Sequence, residues 1–145
     1  MIEDNIKKVI VRFPNWLGDC VMALPFLEVL HRTRPEWELT VLVRGYLHKL
    51  FENDPRIHKV IELKDKDKSF HPSKLFKVAD ELNDDDYDIG IILPDSFSSA
   101  LIFSMAQIPR RIGYKAEMRS FMLTDSISRP KRVVHRSKKY LRLLD

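Results

Sequence analysis

The sequence predicts an α/β fold, with an open, mostly parallel sheet and helices on both faces. Three observations lead there. Short β-branched apolar runs alternate with stretches of helical spacing, the pattern of repeated strand–helix–strand units. The first run, Lys8–Arg12 (KVIVR), is apolar at successive positions, as expected of a strand covered on both faces. The clearest helix, Ser73–Leu82, carries Leu75, Val78, Ala79 and Leu82 at i, i+3, i+4 and i+7, with Lys74, Lys77, Asp80 and Glu81 opposite.

The remaining elements follow in order. After the first strand comes the loop FPNWLGD, then a helical stripe of Leu17, Val21, Leu24, Leu27 and Leu30. Pro25 lies inside that stripe, so it either kinks the helix or marks where the regular helix begins. Leu39–Val43 is a second strand, and a short helix over Tyr46–Glu52 leads to the turn Asn53-Asp54-Pro55. Lys59–Leu63 is a third strand, followed by the sign-alternating run KDKDKS (64–69), which reads as a surface loop. Tyr87–Leu93 is a fourth strand, where Gly90 permits a close approach to the backbone. Asp95 opens a helix running to about Gln107, with Leu101, Ile102 and Met105 as its core stripe. Arg111–Tyr114 is a fifth strand. Residues 115–135 read as irregular and basic, and Arg136–Leu144 as a final helix with Tyr140, Leu141 and Leu144 inward.

The totals bound the function. The 145 residues suit one domain, 1–145, able to bury a real core. The single cysteine, Cys20, excludes an internal disulfide and a thiolate zinc site, and suits a reducing cytoplasm. No run approaches the roughly 20 apolar residues of a membrane span, and the N-terminus does not have the form of a signal peptide. The net charge of +4 is uneven: residues 110–145 hold eleven Lys and Arg against three Asp and Glu. That back quarter is either a surface for an anionic partner or a solvated and docking face.

In an open parallel sheet, ligands sit beyond the carboxyl ends of the strands. This rule selects Asn15, Trp16, Gly18 and Asp19 after the first strand, Arg44 after the second, Asp95, Ser96 and Ser98 after the fourth, and Lys115 after the fifth. The acidic run Asp84-Asp85-Asp86 falls at the opposite end and reads as a solvated turn. GxGxxG, GxxxxGK[ST] and GxSxG motifs are absent, and no two of the five histidines have ligand spacing, so no metal site is expected. Asp19 reads either as the N-cap of its helix or as a general base facing a cleft. Trp16 either stacks on a sugar or covers the edge of the core.

Five segments in order carry a resemblance: RFPNWLGDCVMALP (12–25), IILPDSFSSAL (91–101), IPRRIGY (108–114), EMR (117–119) and VHRSKKYLRLL (134–144). Together they resemble the lipopolysaccharide heptosyltransferases, glycosyltransferases of family 9, over nearly the whole chain. The resemblance implies the N-terminal half of a GT-B fold, a Rossmann-like domain that holds the acceptor. A C-terminal domain, which would hold the donor ADP-heptose, is expected to be absent from this chain, leaving the chain alone inactive. It further implies inverting transfer without metal or cofactor, with Asp19 as the base.

The implied acceptor is the anionic inner core of lipid A at the cytoplasmic face of the inner membrane, with peripheral membrane contact. Asn15, Trp16, Gly18, Arg44, Ser96, Ser98, Lys115 and Arg119 are its expected contacts, Arg119 foremost among the basic residues. Asp95 and Ser98 depart from the family's usual Asn and Lys, which should weaken an anionic acceptor's hold. The competing reading is a stand-alone Rossmann-like module for an anionic ligand or nucleic acid. Only Tyr140 and Phe121 interleave with the basic residues, a poor stacking platform, so no nucleic acid is expected.

Overall fold

The computed structural model describes residues 6–63, 72–116, 118–130 and 134–144. The charged run at 64–69 therefore lies outside the described residues, as does Glu117. Six strands form one sheet: β1 (Lys8–Arg12), β2 (Glu38–Arg44), β3 (Lys59–Leu63), β4 (Ile89–Ile92), β5 (Arg110–Tyr114) and β6 (Asp125–Ile127). Their order is β3-β2-β1-β4-β5-β6, and every neighbouring pair is parallel. The expected α/β Rossmann-like sheet is therefore present.

The helices are α1 (Leu17–Met22), α2 (Leu24–Thr33), α3 (Pro72–Asp84), α4 (Phe97–Met105) and α5 (Arg136–Leu141). Alternation along the strands divides the core in two. Val9 and Val11 join Phe26, Leu27, Leu30, Tyr140 and Leu143 under α2 and α5. Ile10, Leu42 and Ile92 join Ala79, Leu82, Ile102 and Phe103 under α3 and α4. Residues 39–43 and 89–92 are buried throughout, which explains why both strands read as continuous apolar runs.

Several expectations are resolved or corrected. Pro25 does not kink a single helix. Ala23 ends α1 and caps α2, and Pro25 sits in the first turn of α2, where a missing N–H costs nothing. The region 115–135 is not wholly irregular. It holds a 3-10 turn at Ser120–Met122 and the strand β6, whose three residues are too few to show a period. The last helix gives way at Arg142 to a 3-10 turn, which rotates Leu143 into the core and leaves Leu141 and Leu144 at its margin. On α4 Ala100, Ile102 and Phe103 are buried, with Leu101 and Met105 half-buried beside them. Gly90 does permit a close approach: a Cβ there would lie 2.6 Å from the Phe103 ring. Asp85, at the amino edge of the sheet, accepts from Lys59 and Tyr87, each at 3.1 Å. It ties the turn before β4 to the edge strand β3.

Candidate functional site

The strand order reverses direction between β1 and β4, which makes their carboxyl ends the switch point where an open parallel sheet forms a crevice. The loop after β1 supplies Asn15, Trp16, Gly18 and Asp19, and the loop after β4 supplies Asp95, Ser96 and Ser98. The two loops leave adjacent strand ends because β1 and β4 are hydrogen-bonded neighbours. Arg44 stands to one side at the end of β2, and Lys115 to the other, exposed beyond β5.

Asp19 is not a cap. Trp16 occupies the N-cap of α1 without a side-chain capping bond, and Asp19 is the third helical residue. Its side chain is 19% exposed, and its carboxylate lies 3.3 Å from the Arg136 guanidinium of α5. Trp16 is 64% exposed, so it does not cover the core edge. Gly18 is exposed, with nothing near an added Cβ. Asn15 is half-buried and accepts from Arg12.

Across the crevice, Asp95 faces three cations: Lys139 at 2.7 Å, Arg129 at 3.3 Å and Arg119 at 4.0 Å. The negative charge expected to repel an anionic acceptor is therefore neutralised within the chain. Ser96 caps α4 by position, and its hydroxyl donates to Ser99 at 2.9 Å. Ser98 lies half-buried in the first turn of α4.

Arg119 corrects the reading that placed it foremost among the acceptor contacts. It is completely buried. Its guanidinium donates to the carbonyls of Tyr114 at 3.0 Å, Pro94 at 2.8 Å and Ser96 at 3.0 Å, and to the Ser99 hydroxyl at 3.3 Å. Gly113 leaves room for it: a Cβ there would lie 3.3 Å from Nη2. Arg119 thus joins the loops after β4 and β5 from within, and the surface there is shaped by it without displaying it.

Much of the basic excess in the back quarter is likewise engaged internally. Arg110 pairs with Asp125 at 2.6 Å, and Arg111 donates to the carbonyls of Met122 and Ile108. Arg136 and Lys139 meet Asp19 and Asp95. Tyr140, one of two aromatics that could have stacked on a base, is buried, and burial together with the charge of Asp19 raises its hydroxyl pKa to about 12.

A residue missed in the sequence is Arg12. It closes an apolar strand, yet its side chain is buried at the carboxyl end of the sheet. It donates to the Phe13 carbonyl and to Asn15 Oδ1. Burial, opposed by Cys20 and aided by Arg44, lowers its pKa to about 10. Cys20 is buried, and its thiol donates to the Pro14 carbonyl at 3.0 Å. Among the described residues no three His, Cys, Asp or Glu side chains group as a metal ion requires, and no helix is long and apolar enough to cross a membrane.

Comparison with known proteins fits this geometry. Residues 75–144 match the model of glycosyltransferase family 9 (heptosyltransferase). The chain is 30% identical over 118 residues to lipooligosaccharide heptosyltransferase 2 of Haemophilus ducreyi, covering 81% of this chain and 34% of that protein. It is 29% identical over 118 residues to lipopolysaccharide heptosyltransferase 2 of Escherichia coli, with the same coverage. The chain thus spans about a third of the length of the curated relatives it matches. The solved structure of E. coli ADP-heptose LPS heptosyltransferase II superposes with a TM-score of 0.77 at 27% identity, over 94% of this chain and 39% of that one. A family 9 glycosyl transferase from Veillonella parvula superposes with a TM-score of 0.85 at 26% identity, over 95% and 40%. In both sequence and fold, the chain is similar to glycosyltransferase family 9, the heptosyltransferases.

Proposed function

We propose that this chain forms the acceptor-binding part of a glycosyltransferase that moves heptose from ADP-heptose to the inner core of lipopolysaccharide. The observation that carries the reading is Asp19. This carboxylate stands at the β1–β4 switch point of a sheet that superposes on a heptosyltransferase, beside an open tryptophan.

In the proposed reaction an acceptor hydroxyl enters the crevice between the loops after β1 and β4. Asp19 takes its proton as the oxygen attacks the anomeric carbon of the donor. The bond to the nucleoside diphosphate breaks on the opposite face, so the configuration inverts and the diphosphate leaves with the bonding pair. Holding the hydroxyl against the carboxylate is a large part of the acceleration. Arg136 fixes the carboxylate until the acceptor arrives. Trp16 offers a face for a sugar ring, and Ser96, Ser98, Asn15 and Gly18 line the approach. The donor binds outside the elements described above, and the reading includes no metal or cofactor.

The acceptor is anchored in a lipid, so the reading includes a cytoplasmic protein at the inner face of the inner membrane. Lys115, exposed beyond β5, is suited to anionic groups there. The internal pairing of the back quarter gives nucleic-acid binding no support.

Calorimetric titration of the chain with a delipidated heptosyl acceptor and, separately, with ADP-heptose tests the assignment. Acceptor binding that weakens in Asp19→Ala or Trp16→Ala is the expected result. Binding of ADP-heptose alone would reverse the assignment of acceptor and donor sides. In the transferring enzyme, Asp19→Asn is expected to lower kcat by about 10²-fold or more while acceptor KM changes little.

A further inference from the structure

We propose that the carboxyl ends of β1 and β2 form an oxyanion site in which Arg12 and Arg44 hold a phosphate or carboxylate group. That this group belongs to the acceptor rests on the function proposed above; the site itself rests on the following geometry.

Arg12 is 6% exposed. It pairs in register with Leu42 on β2 and Ile92 on β4, both buried in the core under α3 and α4. Arg44 is two residues beyond Leu42 on the same strand and therefore points to the same face. Two cations thus share one face at the ends of adjacent strands, and the charge of Arg44 contributes to the lowered pKa of Arg12.

A buried guanidinium is ordinarily matched by a carboxylate, because an unmatched charge in an apolar setting is costly. Among the described residues no carboxylate lies within 4.0 Å of either guanidinium; the hydrogen-bond partners of Arg12 are the neutral Phe13 carbonyl and Asn15. Its Nε–H has no partner and is buried. The neighbouring Cys20 cannot serve as the counter-ion: burial raises its thiol to about 11, and it already donates to the Pro14 carbonyl.

The pair therefore carries two positive charges and an unused donor, with its fork held by Asn15. A planar fork with spare N–H groups suits an oxyanion with two accepting oxygens, which both a sugar phosphate and a sugar acid carboxylate present. The site adjoins the loop that carries Asp19, so an anion held there would anchor the acceptor to one side of the base.

The test is to follow the arginine Nε–H resonances by NMR while titrating the chain at constant ionic strength with inorganic phosphate and, in a second arm, with acetate. The expected result is a saturable shift of the Arg12 Nε–H with at least one of them. The preferred oxyanion identifies the group. Arg44→Ala, at a half-buried position, should weaken the interaction about tenfold, a typical loss for one charged partner. Arg12→Lys, followed by calorimetry, should lose it, since an ammonium does not replace the fork.

No saturable shift with either oxyanion, or equal affinity in Arg44→Ala, would overturn the site. Oxyanion binding without binding of the heptosyl acceptor would leave the site standing and remove the proposed function. Acceptor binding unchanged by Arg44→Ala, with no oxyanion response, would do the reverse.

Discussion

The Lys139 ammonium lies 2.7 Å from the Asp95 carboxylate, joining the last helix to the loop after β4 across 44 residues of sequence. One turn away on the same helix, Arg136 meets Asp19 at 3.3 Å. Residues i and i+3 share a helix face, so α5 reaches both sides of the switch point at once. The Tyr114 hydroxyl donates to the Lys139 carbonyl and holds the middle of the helix.

Breaking this latch should cost stability in a graded way. The Lys139 and Asp95 side chains are 23% and 27% exposed, between a surface pair and a buried one. Lys139→Ala is expected to cost roughly 1–2 kcal/mol. Chemical denaturation of Lys139→Ala, Asp95→Asn and the double variant should give a coupling energy. A coupling near zero would mean that the other cations around Asp95 carry the interaction.

Arg119 should behave as a core residue. Arg119→Met removes the donor to three carbonyls and a hydroxyl, and a loss of roughly 3 kcal/mol or more is expected. Arg119→Lys should recover little, because an ammonium cannot span the same acceptors. Urea unfolding midpoints check both. A variant as stable as the parent would contradict the staple.

Gly90→Ala places a methyl group 2.6 Å from the ring of Phe103, inside contact distance. Overpacking of this kind costs roughly 1–3 kcal/mol. Thermal unfolding should show the loss in Gly90→Ala and a partial return in Gly90→Ala with Phe103→Leu, which frees space on α4.

Acid should weaken the fold in part through Asp54. The hydrogen bonds from Arg56, at 2.6 Å and 2.9 Å, lower its pKa against the opposing effect of burial. A carboxyl depressed in the folded state adds stability above its unfolded pKa, about 3.9. That contribution is lost as pH falls through the folded value. Stability measured from about pH 5 downward should therefore fall less steeply in Asp54→Asn than in the parent.

The sequence shows the sheet and its helices well because each strand is either wholly buried or bounded by turn residues. The KVIVR and IGII runs need no partner to be recognised. β6 escapes because three half-buried residues carry no period, and its pairing with β5 is a tertiary fact. The crevice is legible through one rule, that ligands gather at strand carboxyl ends. The rule selects Asp19, Trp16 and Ser96 but cannot say which side chains face inward. Arg119 and Arg12 show the limit. Each looks like a surface cation in sequence, and only packing against Gly113 or below Asn15 reveals burial. The basic back quarter shows it too, since the carboxylates that meet Arg129, Arg136 and Lys139 lie in distant segments.

The place of β1 in the sheet has a consequence for how the chain is made. The strand β1 is central in the sheet, and it is made before both of its neighbours; the second of them, β4, follows about eighty residues later. Until then β1 can pair only with β2, through the nearby α1 and α2. One flank of its backbone, with apolar side chains above and below, stays open until β4 has been made. Such an open flank invites mispairing with other chains. Folding should therefore be paced by the arrival of β4 and α4, a long-range closure of the kind that slows parallel sheets.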